Sequence, residues 1–278
     1  MPALDRVIDD ALAEDVGAGD LTTDAIVSSG LRGAADIVMR EPGVVCGLDA
    51  ALATVLRLDP DATMERMADE GDVVEQAPRT VARLHASLRA LLTAERTALN
   101  LLQRMSGIAT TTHRYVEAVR GTGVEILDTR KTAPGLRDLD KAAVACGGGT
   151  NHRRGLDDAV LIKDNHLAVA GSVVAAIEAV RREHPRRPVE VEADTIDQLD
   201  QALAAGAEAI LLDNMPLETL RRAVQVAGGR ARLEASGGIT IESIREVAET
   251  GVDAISVGAL THSVRALDIA MEVTPSAS

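Results

Sequence analysis

Aromatic residues are almost missing from this chain of 278 residues, which has one Tyr and no Phe or Trp. Its core must therefore be built from Ala, Val, Leu, Ile and Met, and it lacks the flat rings on which single-stranded nucleic acid stacks. Positive charge is scarce as well: 29 Lys and Arg face 43 Asp and Glu, for a formal net charge of −14. Neither nucleic acid nor an anionic membrane is an expected partner of so acidic a protein. No uninterrupted apolar run reaches the roughly 20 residues of a membrane-spanning helix. The acidic, amphipathic start has neither the basic leader nor the apolar stretch of a signal peptide. Cysteine is limited to Cys46 and Cys146, which are isolated from each other and from any metal-ligand spacing. Both are expected to be reduced thiols that fill space in a cytoplasmic protein.

The scarcest charged residue is also the most informatively placed. All three lysines, Lys131, Lys141 and Lys163, fall in one 33-residue stretch. Over 128–166, seven Lys and Arg meet six Asp, so this segment is positive within a strongly negative chain. A local positive pocket in an acidic protein suits a small polyanion.

The length allows one large or two modest domains. Apolar spacing predicts helices over 5–13 and 48–58, a strand over 34–39, and a mostly helical stretch over 80–112. After about residue 106 the pattern becomes an alternation of strand and helix. Strands are expected at 124–127, 159–162, 189–191, 209–212, 231–233 and 254–257, with helices at 172–183, 196–205, 217–227 and 241–250. That alternation implies a parallel sheet, open or closed into a barrel, and an α/β fold. A polar or glycine residue follows or ends each strand: Asp128, Lys163, Glu192, Asp213, Glu234 and Gly258. From Lys163 onward they recur at intervals of 21 to 29 residues, about one βα unit, so a barrel would bring them to one face.

Three motifs stand together in the middle of the chain: Asp128-Thr129-Arg130-Lys131-Thr132, then Gly147-Gly148-Gly149-Thr150-Asn151-His152-Arg153, then Leu161-Ile162-Lys163-Asp164-Asn165-His166. With Glu14-Asp15, Gly19-Asp20-Leu21-Thr22-Thr23, Ala94-Glu95-Arg96-Thr97, Ser236-Gly237-Gly238-Ile239 and Val257-Gly258-Ala259-Leu260-Thr261-His262, the chain resembles the nicotinate-nucleotide pyrophosphorylase family, the decarboxylating quinolinate phosphoribosyltransferases. The likeness runs from about residue 14 to 265. It implies a mixed α/β N-terminal domain (1–106, with 265–278 packing on it) and an incomplete, seven-stranded βα barrel (107–264). Only six of those strands can be placed from the sequence.

The family condenses quinolinate with phosphoribosyl pyrophosphate and releases nicotinate mononucleotide, pyrophosphate and carbon dioxide. Quinolinate carries two adjacent carboxylates, which planar guanidinium groups recognise well. Arg130, Arg153 and His152 are the expected dicarboxylate clamp, with Lys163 beside ring and sugar and Thr129 adding a hydroxyl. The resemblance implies that Arg96 enters this pocket from a partner subunit, making a homodimer or a larger assembly the working form. Glu192 and Asp213 would either hold Mg²⁺, a hard cation that prefers carboxylate and phosphate oxygens, or bond the ribose hydroxyls. Lys131 is the candidate for the leaving pyrophosphate. Ser236, Gly237, Gly238, Gly258 and Ala259 would cradle the 5′-phosphate at two neighbouring strand ends, and Gly147 to Gly149 would be either a further close-approach loop or a flexible turn. Ala142 and Ala193 stand where the family commonly has a larger residue and Val, respectively, which bears on pocket volume. Three other readings remain: a Schiff-base aldolase using Lys163, a non-catalytic anion carrier, and a paralogue of molybdate-uptake operons acting on another base.

Overall fold

The computed structural model of the chain describes residues 2–276. From the N-terminus run α1 (Pro2–Val16), α2 (Leu21–Ile26), β1 (Arg32–Met39), β2 (Gly43–Val44), α3 (Leu48–Leu56), β3 (Thr63–Arg66), β4 (Val73–Val74), β5 (Arg79–Ser87) and α4 (Leu88–Ala118). There follow β6 (Glu125–Leu127), α5 (Arg137–Cys146), β7 (Val160–Ile162), α6 (Asp164–Ala170), α7 (Val173–Glu183), β8 (Val189–Ala193) and α8 (Ile196–Ala204). The chain continues through β9 (Ala209–Asp213), α9 (Leu217–Ala227), β10 (Arg232–Ser236), α10 (Ile244–Ala248), β11 (Ala254–Ser256), α11 (Ala259–His262) and β12 (Ile269–Pro275). No helix among the described residues is long and apolar enough to cross a membrane.

The fold is α/β, in two compact units. The first gathers the residues up to 113, then 132–148, and those from 260 on. Its main sheet is antiparallel, in the order β12-β1-β5-β3. Ala35, Ile37 and Met39, every second residue of β1, are fully buried and pack in one apolar core with Leu84, Leu91 and Leu102. The C-terminal strand closes the sheet, with Met271 opposite Ile37. Residues 79–87 are a strand, not the start of the helix expected from leucine spacing. Ala82, Leu84 and Ala86 alternate into the core, and on the other face Arg83 grips Asp36 with bonds of 2.6 and 2.9 Å across the ladder. A division at residue 107 assigns 132–148 to the later domain, yet these residues group with the first unit. Asp140 of α5 is fully buried and accepts two 2.8 Å bonds from Arg104 of α4.

The second unit comprises 114–131 and 149–259. Its six-stranded parallel sheet has the order β6-β11-β10-β9-β8-β7. The resemblance implies seven strands and the sheet has six; beyond β6 there is only an isolated parallel bridge between Leu127 and Thr150. One residue is too short to show as a strand pattern. Strand side chains alternate between faces. Val189, Val191, Ile210 and Leu212 are fully buried, and α7 and α8 pack against β8. The other face carries Leu161, Glu190, Glu192, Leu211, Asp213, Glu234 and Ser236. The ladder sets Leu161 opposite Glu190, Leu211 between Glu192 and Glu234, and Asp213 beside Ser236.

Gly147 caps α5 where it meets α4. A methyl group there would lie 2.3 Å from the carbonyl oxygen of Ala109 and 2.8 Å from Cβ of Thr112, so this glycine serves helix packing. Gly147→Ala is expected to lower the unfolding free energy by about 1–3 kcal/mol, measured by urea denaturation. An unchanged midpoint would show that the two helices have room to separate.

Candidate active site

The polar face of the parallel sheet ends in a cavity of about 380 Å³. Its walls are Leu161, Lys163, Glu192, Leu211, Asp213, Glu234, Ser236 and Ser256 from the strands and strand ends. Thr129, Arg130 and Lys131 come from the segment after β6, His152 and Arg153 from the segment after Thr150, and Asp164 from α6. Period-two alternation is what places Glu192 and Asp213 here, because each lies two residues beyond another residue on the same face. Asp128 has the opposite parity and is fully buried. It accepts the side-chain amide of Asn151 at 2.7 Å and the backbone N–H of His152 at 2.8 Å, so it anchors the segment that carries His152.

Four cationic side chains share this small volume. Burial, and then the like charge of Arg130, pull the Arg153 guanidinium below its usual value. The Arg153 head is steadied by a 3.3 Å bond to the carbonyl of Ala159. Lys163 donates through Nζ to the buried Glu192 carboxylate. Its backbone N–H goes to His166 Nδ1 at 2.9 Å, a capping box at the start of α6, which explains the Lys163 to His166 motif as a turn that aims the lysine. Lys131 also lines the cavity, whereas Lys141 is buried on α5 in the first unit.

His152 lies with Nε2 3.2 Å from Glu190 and 3.3 Å from Glu234. Burial opposes a charged ring, but the bonds to Glu190 and Glu234 outweigh it and hold the imidazole at about 10. On the other side Nδ1 accepts the backbone N–H of Arg153 at 2.7 Å, which favours a lone pair there and works against the second proton. Both ring nitrogens thus face protein groups, and the ring lines the cavity without presenting a nitrogen to it through these bonds. Glu234 lies in the middle of β10 and has one carboxylate oxygen, Oε1, buried and without a hydrogen-bond partner.

On the acidic side, Glu192, Asp194 and Asp213 each bring a carboxylate oxygen within 4.8 Å of the others, a donor set that suits a hard cation. Asp213 also accepts the side-chain amide of Asn214 at 2.5 Å. Asn214 sits at φ +53°, a left-handed conformation that Asn tolerates better than most residues, and its N–H goes to the carbonyl of Ser236 at 2.9 Å. Gly237 makes room for it, since a Cβ there would stand 2.3 Å from Asn214 Oδ1. Gly237, Gly238, Gly258 and Ala259 follow β10 and β11 but do not line the cavity; Ser236 does. Arg96 is exposed on α4 in the first unit. Ala142 is exposed on α5, Ala193 is buried in β8, and neither lines the cavity.

Glu190, Asp194, Asn214 and Ser256 were not picked out from the sequence. Glu190 had a readable signal, because Val189-Glu190-Val191-Glu192 alternates strictly and both acids must share a face. Asn214 and Ser256 had none beyond their positions at strand ends.

Residues 20–106 match the family model for the quinolinate phosphoribosyl transferase N-terminal domain, and residues 108–272 match that for the C-terminal domain. The chain belongs to the quinolinate phosphoribosyltransferase family. It is 50% identical over 270 residues to nicotinate-nucleotide pyrophosphorylase [carboxylating] of Mycobacterium leprae, covering 95% of this chain and 94% of that protein. It is 40% identical over 290 residues to quinolinate phosphoribosyltransferase [decarboxylating] 1b of Nicotiana tabacum, covering 97% and 82%. Among solved structures, the nicotinate-nucleotide pyrophosphorylase from Francisella tularensis superposes with a TM-score of 0.92 at 39% identity, covering 98% of this chain and 96% of that one. NadC from Streptococcus pyogenes gives a TM-score of 0.94 at 39% identity, with coverage of 98% and 96%. The quinolinate phosphoribosyltransferase fold is thus present over nearly the whole chain.

The His152 cluster has a consequence for stability. An unfolded histidine titrates near 6.5, and the folded value is raised to about 10. The stabilisation it contributes is therefore complete below about pH 6.5 and is lost as pH rises through the folded value. The difference in unfolding free energy between the native chain and His152→Asn is expected to shrink between pH 6.5 and 10. A difference that grows over that window would contradict the arrangement.

Proposed function

We propose that this chain transfers the phosphoribosyl group of phosphoribosyl pyrophosphate to quinolinate, with loss of carbon dioxide, in the synthesis of the nicotinamide nucleotides. The observation that carries this reading is the crowding of Arg130, Lys131, Arg153 and Lys163 around one cavity in a protein of net charge −14. Four basic side chains set beside four acidic ones, Asp164, Glu192, Asp213 and Glu234, suit an anionic ligand whose phosphates bring a hard cation with them. Arg130 and Arg153 take the two carboxylates of quinolinate, Thr129 adds a hydroxyl, and His152 positions Arg153 by accepting its backbone N–H.

The pyridine nitrogen attacks C1 of the ribose as pyrophosphate leaves through a cationic sugar transition state. The positive charge of the quaternised ring nitrogen then stabilises the carbanion left when the adjacent carboxylate departs as carbon dioxide. The protein needs no covalent intermediate for this chemistry. It holds two anions against their mutual repulsion and neutralises the leaving group, and both effects lower the barrier. Lys131 faces the leaving pyrophosphate, and Lys163, aimed by His166 and held by Glu192, stands beside ring and ribose. Ser236 with Gly237, Gly238, Gly258 and Ala259 is assigned to the 5′-phosphate.

Glu192 and Asp213, joined by Asp194, are the residues that would hold Mg²⁺. When bound, such an ion neutralises pyrophosphate charge. Direct bonds from the same carboxylates to the ribose hydroxyls are the other use of this acidic corner. Entry of Arg96 from a second copy, a homodimeric working form and a cytoplasmic location belong to the same proposal. The aldolase reading finds less support, because Lys163 donates to the Glu192 carboxylate, whereas a Schiff-base amine is activated by desolvation or by a neighbouring cation.

The test is release of pyrophosphate and carbon dioxide from quinolinate and phosphoribosyl pyrophosphate with magnesium, which is expected to stop on chelation and return with added Mg²⁺. Arg153→Ala should raise KM for quinolinate roughly 10- to 100-fold, the loss of a charged hydrogen bond, with a smaller change in KM for the sugar. No turnover by the native protein with both substrates and magnesium would remove the assignment.

A further inference from the structure

Three side chains of the first unit that the proposed reaction does not use lie together. Cys46 follows β2, Glu70 precedes β4, and Cys146 ends α5. The two sulfurs and a Glu70 carboxylate oxygen all lie within 4.8 Å of one another, although the cysteines are 100 positions apart in the chain. The Cys146 thiol donates to the carbonyl of Val45 at 3.5 Å, so it rests on the backbone next to Cys46. That backbone is fixed by Ser106, whose hydroxyl accepts the Cys46 N–H at 3.1 Å and donates to the Cys46 carbonyl at 2.9 Å.

The two thiols differ in setting. Cys46 is 3% exposed, whereas Cys146 is half-buried. The hydrogen bond between them, followed by burial, pushes Cys46 up, and the same bond pulls Cys146 down. Cys146, the more accessible sulfur, is the one a peroxide in solution meets first, and the thiolate is the reactive form.

We propose that Cys46 and Cys146 form a peroxide-oxidisable pair that closes to an intramolecular disulfide. The Cys146 thiolate attacks one oxygen of hydrogen peroxide and forms an S–O bond. The O–O bond breaks, and the departing hydroxide takes up a proton to leave as water. The Cys46 sulfur then displaces the hydroxyl of the Cys146 sulfenic acid. The S–S bond forms, and the Cys46 proton leaves with that hydroxyl as a second water. One peroxide is reduced and two thiols are oxidised. The product ties the C-terminus of α5 to the loop before α3. A zinc ion on the two sulfurs and Glu70 is the rival occupant. Both Glu70 oxygens already accept backbone N–H groups, from Gly47 at 2.7 Å and Asp49 at 3.2 Å, and a closed structural zinc site takes four protein ligands.

The full chain is exposed to hydrogen peroxide, alkylated and mapped by peptide mass. The expected result is loss of both free thiols, a mass lower by two hydrogen atoms, and a peptide linking Cys46 to Cys146 that dithiothreitol separates. In Cys46→Ser the oxidation should stop at a sulfenic acid on Cys146 that dimedone traps. The native protein alone decides the matter if that variant does not fold. Two thiols that remain alkylatable would overturn the proposal, as would native Cys146 passing to the sulfinic acid while Cys46 stays free. Zinc that copurifies at one per chain, with thiols that peroxide leaves untouched, would also overturn it and assign the cluster to a metal.

Discussion

Mutual repulsion among cations is the constraint on which the site depends. Two guanidiniums, two ammoniums and an imidazole border a cavity of about 380 Å³, and close like charges are costly where water is partly excluded. The sheet that forms the cavity floor supplies the counter-charges. Glu192 holds Lys163, and Glu190 and Glu234 together hold His152. Arg153 faces the like charge of Arg130, which with burial pulls its guanidinium below the usual value. Carboxylates under the lysine and the imidazole, with guanidiniums opposed to each other, describe a cavity shaped to receive a compact dianion.

Alternation along parallel strands is what makes this economy possible. β8 carries Val189, Val191 and Ala193 into the core and turns Glu190 and Glu192 to the opposite face, where Glu190 meets His152 and Glu192 lines the cavity. The recurrence of βα units was legible in the sequence, and its spacing set Lys163, Glu192 and Asp213 at successive strand ends. Spacing of that kind carries no parity, and Asp128, which follows its strand, has the opposite parity to the others. That residue is buried beneath the loop it anchors, in place of a position on the cavity wall.

Features formed across long separations were the least legible. Beyond β6 the six-stranded parallel sheet gains only a one-residue bridge at Thr150, which has no period to read. Strand β5 was hidden because Leu84, Leu88, Leu91 and Leu92 also fit a helical spacing, and the choice of strand depends on pairing with β1. Gly147 stood within a run of three glycines that suggested a ligand loop, yet its lack of a side chain is required by the carbonyl of Ala109. Cys46 and Cys146 look isolated along the chain, because nothing in their local sequence brings α5 onto the segment after β2.

A crystal structure with quinolinate bound tests the central claim most directly. The account predicts that the pyridine ring occupies the cavity over Leu211, with its two carboxylates within hydrogen-bond distance of the Arg130 and Arg153 guanidiniums. Quinolinate bound away from these two arginines, or carboxylates turned toward Glu192 and Asp213, would contradict it.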